Sequence, residues 1–273
     1  MLWGQKRRNP LIVGGLMADS AMLKIHRATE HINELNALFQ KKRPFTYVLE
    51  TNTNTGQRAT FAKRNEAVIN RAALICGDVV HNLRSALDHA YWVIVSPVAA
   101  TDWERKNVQF PYSETEARLD EAVKKRFADR VSPTFYQALL DLKPHAEPGG
   151  NEFIALIHKF DILDKHKLLI PTGDYTRLSS ETLIKQVPDF PRGLVNCGFG
   201  QNNRDVAWNI PPMNRAQRRS SRIPESGILE QELNVPVDIV FTITGYVDHR
   251  PVIPTLHKLI DVASSTIQVI RNA

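Results

Sequence analysis

The chain has 273 residues, 42% of them hydrophobic, with only 13 Gly and 16 Pro, a composition that excludes disordered, collagen-like and low-complexity classes. Its 35 Lys and Arg against 29 Asp and Glu give a formal net charge of +6, which permits an anionic partner without naming one. Two cysteines, Cys76 and Cys197, make no disulfide framework and no C-x-x-C pair, which points to a reducing, cytoplasmic setting. No apolar run approaches the roughly 18 residues of a membrane span, so no membrane partner is expected.

Lys6, Arg7 and Arg8 before Leu-Ile-Val imitate the start of a secretion signal, but the apolar stretch is short and carries two glycines. An N-terminal arm leading into a helix is the better reading. Asp19 or Ser20 can cap a first helix to about Gln40, with Ile25, Ile32, Leu35 and Phe39 on one face and Lys41, Lys42 and Arg43 at its end, where cations suit the helix dipole. Phe45 to Glu50 and Arg58 to Ala62, flanking Asn52-Thr-Asn-Thr-Gly56, predict a β-hairpin. Asn65 to Ser96 is the longest helical pattern, its stripe running from Ile69 through Cys76, Val80, Leu83 and Leu87 to Ile94.

A loop through Trp103 and Gln109-Phe-Pro111 leads to a helix over Glu116 to Phe127 and a short one opened by Ser132-Pro133. Asn151 caps another, Glu152 to about Lys165. The pattern then turns to β: Leu168 to Ile170, Thr182 to Val187, Val206 to Ile210 and Val235 to Thr244, before a last helix from Pro254 to about Arg271. The expected fold is a single α+β domain over 1–273. It comprises a helical bundle over about 18–170 with a hairpin insertion near 45–62, and a C-terminal β-rich part near 168–250 closed by the final helix. Pro211, Pro212 and Pro224 bracket an Arg-rich stretch, 211–227, expected to be an extended or mobile loop.

The second face of the long helix collects Asp78, His81, Asn82, Ser85, Asp88, His89 and Trp92, with Arg84 at its edge, one turn before Asp88. Between Ala67 and Val95 there is no Lys and no Glu. Solvated helix faces favour those long charges, whereas Asp, Asn, Ser and His do better with fixed partners, so this face reads as a partly buried polar network, with an ordinary solvated face as the alternative.

Arg84 and His89 form an Arg-x4-His pair similar to the active motif of HEPN-type helical ribonucleases. Four further segments resemble, in order, an uncharacterised family of bacterial and phage-encoded proteins. They are Lys24-Ile-His-Arg-Ala-Thr-Glu-His-Ile-Asn-Glu-Leu35, Gly77-Asp-Val-Val-His-Asn-Leu-Arg-Ser-Ala-Leu-Asp-His89, Gln109-Phe-Pro111 and Asp164-Lys-His-Lys-Leu-Leu169. That resemblance spans about residues 20–170 and implies a shared fold but no activity. The HEPN resemblance implies metal-independent RNA cleavage without a cofactor, in a homodimer with the long helix at its interface.

In that chemistry Arg84 would hold the scissile phosphate and His89 would act as general acid or base, with His81 or Asp88 orienting it. Asp78, Asn82, Ser85, Asp164, His166 and His31 would support the network from three helices. One alternative is a metal site from His81, His89, Asp164 and His166, since facing helices do build such sites. Another is no catalysis at all: a binding or regulatory protein whose polar network fixes helix register. Arg215, Arg218, Arg219 and Arg222 are candidates for contacting RNA or another anionic partner.

Overall fold

The structure, a computed structural model, describes residues 10–168, 171–174, 180–193, 206–222, 224, 226–235, 237–243 and 247–273. The Lys6–Arg8 arm and Cys197 lie outside these residues, as do all but Leu168 of the strand expected to end at Ile170. In chain order the elements are α1 (Pro10–Lys41), β1 (Phe45–Asn52), β2 (Gln57–Arg64), α2 (Glu66–Val95), α3 (Asp102–Lys106), α4 (Leu119–Lys125), α5 (Pro133–Asp141) and α6 (Glu152–His166). There follow β3 (Thr172–Asp174), α7 (Ser180–Ile184), β4 (Val206–Asn209), α8 (Arg215–Ser220), β5 (Ile228–Leu233), β6 (Asp238–Ile243), β7 (Val247–Pro251) and α9 (Val252–Asn272). The architecture is α+β, and the chain divides into two compact units.

The first unit comprises Met1–Asn36, Ala73–Leu169 and Ile253–Ala273 and is helical. Its core takes Ala21, Ile25, Ala28, Ile32 and Leu35 from α1, and the α2 stripe from Cys76 through Val80, Leu83 and Leu87 to Ala90, every one of them buried. Tyr91 of α2 is wholly buried between Phe110 (6.2 Å, edge-on) and Phe135 (6.0 Å), its hydroxyl donating to the Arg126 carbonyl at 2.8 Å. Local signals fix the boundaries. The Asn151 side chain accepts from the Ile154 N–H to start α6, and the Ser132 hydroxyl from the Phe135 N–H to start α5, with Pro133 in the first turn.

The second unit comprises Ala37–Ala72 and Ile170–Val252. Its antiparallel four-stranded sheet has the order β4-β2-β1-β5, and a three-stranded sheet runs β3-β6-β7. The β1–β2 hairpin forms as expected: Asn52 Oδ1 accepts from the Asn54 and Thr55 N–H groups, and Gly56 takes φ +75°, a conformation side chains disfavour. Phe45, Tyr47 and Leu49 of β1 pack with Leu183, Val187, Phe190, Leu233 and Val235.

Three expectations need correction. Thr182 to Val187 is not a strand: α7 covers Ser180–Ile184, and Leu183 and Val187, four residues apart, enter the core together while Lys185 is exposed. The Arg-rich stretch is not extended: Asn214 accepts from the Gln217 N–H and Gln217 returns the bond, a capping box that starts α8. The first helix begins at Pro10 rather than at Asp19 or Ser20, which leaves the Ser20 hydroxyl free for another helix.

Candidate functional site

The polar face of α2 is organised around one backbone segment. Arg84 is 8% exposed, and its Nη2 donates to the Phe110 carbonyl at 2.8 Å and to Asp88 Oδ1 at 2.9 Å. The same Asp88 oxygen accepts the Phe110 N–H at 2.9 Å. Two side chains one turn apart thus satisfy both peptide groups of Phe110, as a neighbouring strand would, while the guanidinium lies 5.9 Å from the Phe110 ring centroid. Burial pushes the Asp88 carboxyl above its ordinary range, and Arg84 and the Phe110 N–H oppose that shift.

Towards α6, His81 Nδ1 lies 3.2 Å from Asp161 Oδ1, and Lys165 Nζ donates to the other Asp161 oxygen at 2.6 Å. Asp161 is buried, whereas His81 and Lys165 are exposed, so a fixed carboxylate is neutralised from the rim. One turn before His81, Gly77 explains how the helices approach: a Cβ there would lie 2.1 Å from Asp164 Oδ1. The Asp164 carboxyl is pushed up by burial and by Asp78 and Asp161, and relieved by His81. Asp78 itself is exposed.

Towards α1, Lys24 Nζ donates to Asn82 Oδ1 at 3.2 Å, Asn82 Nδ2 donates to the Asp78 carbonyl at 2.8 Å, and the Ser20 hydroxyl lies 2.5 Å from His89 Nδ1. Burial, then the Lys24 charge, hold the half-buried His89 below the ordinary imidazole range, against Asp88. Five residues turn a helix by about 140° beyond a full circle. Accordingly Arg84 goes to Phe110 while His89 goes to Ser20 of α1, and the two take no common partner among the described residues.

The other expected residues are placed as follows. Ser85 is half-buried with no side-chain hydrogen bond among the described residues. His31 is buried, its Nδ1 3.5 Å from Glu34 Oε2 on its own helix. His166 is exposed in the last turn of α6, where it suits the helix dipole, and does not join the network. The metal alternative is corrected: His81 pairs with Asp161, His89 with Ser20, and His166 faces solvent. Among the described residues no group of three or more His, Cys, Asp or Glu could hold one ion. Arg215, Arg219 and Arg222 on and after α8 are exposed and Arg218 half-buried, and none has an ion pair among the described residues.

His158 is the participant that sequence reasoning missed. Its ring stacks on Tyr112 at 3.8 Å, and burial followed by the Arg84 charge pushes its pKa down to about 4. Its position one turn before Asp161 on α6 was the available signal. Among the described residues, His158 Nδ1 and Arg84 Nη1 are both buried without a hydrogen-bond partner, as are both ring nitrogens of His145.

Lys24, Phe110 and Asp164, from three other sequence segments, each meet α2 within the stretch Gly77 to His89, at Asn82, at Asp88 and at Gly77 respectively. No protein-family model matches the chain, and neither the curated proteins nor the solved structures give a match. Among the described residues no helix is long and apolar enough to cross a membrane.

Proposed function

We propose that this is a non-catalytic binding protein whose α2 polar face is a structural network, and that it contacts an anionic partner, RNA foremost, through Arg215, Arg218, Arg219 and Arg222. The observation that carries the first half is the commitment of Arg84: the side chain is nine-tenths buried, its Nη2 already serves a backbone carbonyl and Asp88, and its unpartnered Nη1 is itself buried, so it presents no exposed donor to a phosphate. The second half is supported by the α8 arginines, which carry cationic forks with no carboxylate to neutralise them among the described residues. Single-stranded RNA binding through them falls with salt, each phosphate contact adding about 0.7 to the logarithmic slope.

The test has two arms. Replacing the four arginines by Gln is expected to weaken RNA binding and flatten its salt dependence, with no RNA cleavage by the wild type in excess EDTA. Cleavage in EDTA that stops on His89→Ala or Arg84→Ala would replace this reading with the metal-independent ribonuclease. That reading draws on one observation: burial holds the half-buried His89 below the ordinary imidazole range, which favours the neutral ring that can accept a proton.

A further inference from the structure

A second candidate site lies in the helical unit, in a cleft of about 500 Å³ with α4 as one wall and the segment Tyr112–Glu114 as the other. The sequence of α4 dictates its shape. Leu119 and Val123 are buried at i, i+4 spacing, and Arg118, Glu121, Ala122 and Lys125, at i, i+3, i+4 and i+7, share the adjoining face. Ala122 sits in the middle of that face, and its methyl leaves room between longer neighbours. The facing wall is fixed: the Ser113 N–H donates to the Pro144 carbonyl at 3.1 Å and its hydroxyl to the Thr115 carbonyl at 2.7 Å.

The charge left over in this cleft is positive. Glu114 accepts from the Tyr112 hydroxyl at 3.2 Å and lies 3.6 Å from Lys159 Nζ, so it is already engaged. Arg118 and Lys125 have no ion pair among the described residues, and Arg126, at the end of the helix, spends one nitrogen on the Asn107 carbonyl at 2.8 Å. Three cations therefore stand against the single remaining carboxylate, Glu121. A volume of about 500 Å³ lies within the range of small-molecule clefts, and a rigid wall costs little ordering on binding.

We propose that this cleft, lined by Arg118, Lys125 and Arg126 around Ala122, binds a small phosphate-bearing organic molecule. It is independent of the α8 arginines, so the two sites fail separately. Nucleotides, sugar phosphates and pyrophosphate share the required chemistry. Calorimetric titration of the full chain with adenosine 5′-monophosphate, ribose 5-phosphate and pyrophosphate tells them apart.

The expected result is that at least one binds more tightly than about 1 mM. Arg118→Glu and Lys125→Glu should each weaken it by about tenfold or more, and Ala122→Phe, which fills the cleft without changing charge, should abolish it. Substituting the α8 arginines should leave it unchanged. Circular dichroism confirms that each variant is folded, and Ala122→Phe tests the cleft even if a charge reversal is not tolerated. No binding of any of the three ligands would overturn the proposal. So would binding that survives Ala122→Phe and both reversals, or a short RNA strand that alone occupies the cleft.

Discussion

Arg84 in the helical unit and the α8 arginines in the sheet-containing unit are used in opposite ways. In the helical unit Arg84 is buried and bonded to a backbone carbonyl and a carboxylate, and the polar side chains beside it pin α1, the Phe110 segment and α6 to α2. In the sheet-containing unit Arg215, Arg219 and Arg222 are exposed and carry no ion pair among the described residues. The same residue type thus holds the fold in one place and is offered to a partner in the other. Burial and partners, rather than residue identity or spacing, separate the roles.

The largest effect expected from breaking this contrast is at Arg84. Arg84→Ala leaves Asp88 without its cation and the Phe110 carbonyl without its donor, at a cost of about 3 kcal/mol in urea unfolding. His158 comes next. Its folded pKa of about 4 lies below the ordinary 6.5, so the unfolded chain binds the proton first and stability falls as pH drops from 6.5 towards 4. Allowing for its partial exposure, the loss is on the order of 2 kcal/mol. His89 acts in the same direction, and the raised Asp88 and Asp164 partly oppose it. Thermal melts of His158→Phe, which keeps an aromatic ring against Tyr112, should show a flatter pH dependence over that range.

Smaller still is Gly77→Ala, which drives a methyl into the Asp164 carboxylate and costs about 1 to 2 kcal/mol in the same unfolding assay. The smallest is Arg219→Gln, expected to change stability by less than about 0.5 kcal/mol while lowering RNA affinity at low salt. A comparable stability loss at Arg84 and Arg219 would erase the distinction between the structural and the exposed arginines.

Much of the helical unit was legible because long stripes and capping residues are local signals. The α2 stripe from Cys76 to Ala90 and the Asn151 cap of α6 repeat at helical spacing whatever packs against them. The α2 members Arg84, Asp88, His81 and Asn82 were legible, but their partners Ser20, Lys24, Phe110 and Asp161 were not, and His166 and Ser85 do not join them. Arg84 and His89 read as one site because they lie close in sequence, whereas the turn of the helix sends them to different neighbours. Phe110 reads only as part of a loop, because its role is played by its backbone.

In the other unit, β5 shows no alternating pattern because Glu230, Gln231 and Glu232 are all exposed, and its place depends on pairing with β1. The β-branched residues around Leu183 favoured a strand, but the i, i+4 spacing of Leu183 and Val187 met the core as a helical turn. The arginines of α8 hid a capping box that Asn214 and Gln217 spelled out.

The most direct test of the account is a double-mutant cycle between Arg84→Ala and Asp88→Ala in urea unfolding. If the two side chains act together on Phe110, the second substitution costs much less once the first is made, with a coupling of at least about 1 kcal/mol. Additive effects within about 0.3 kcal/mol would contradict a shared structural clamp.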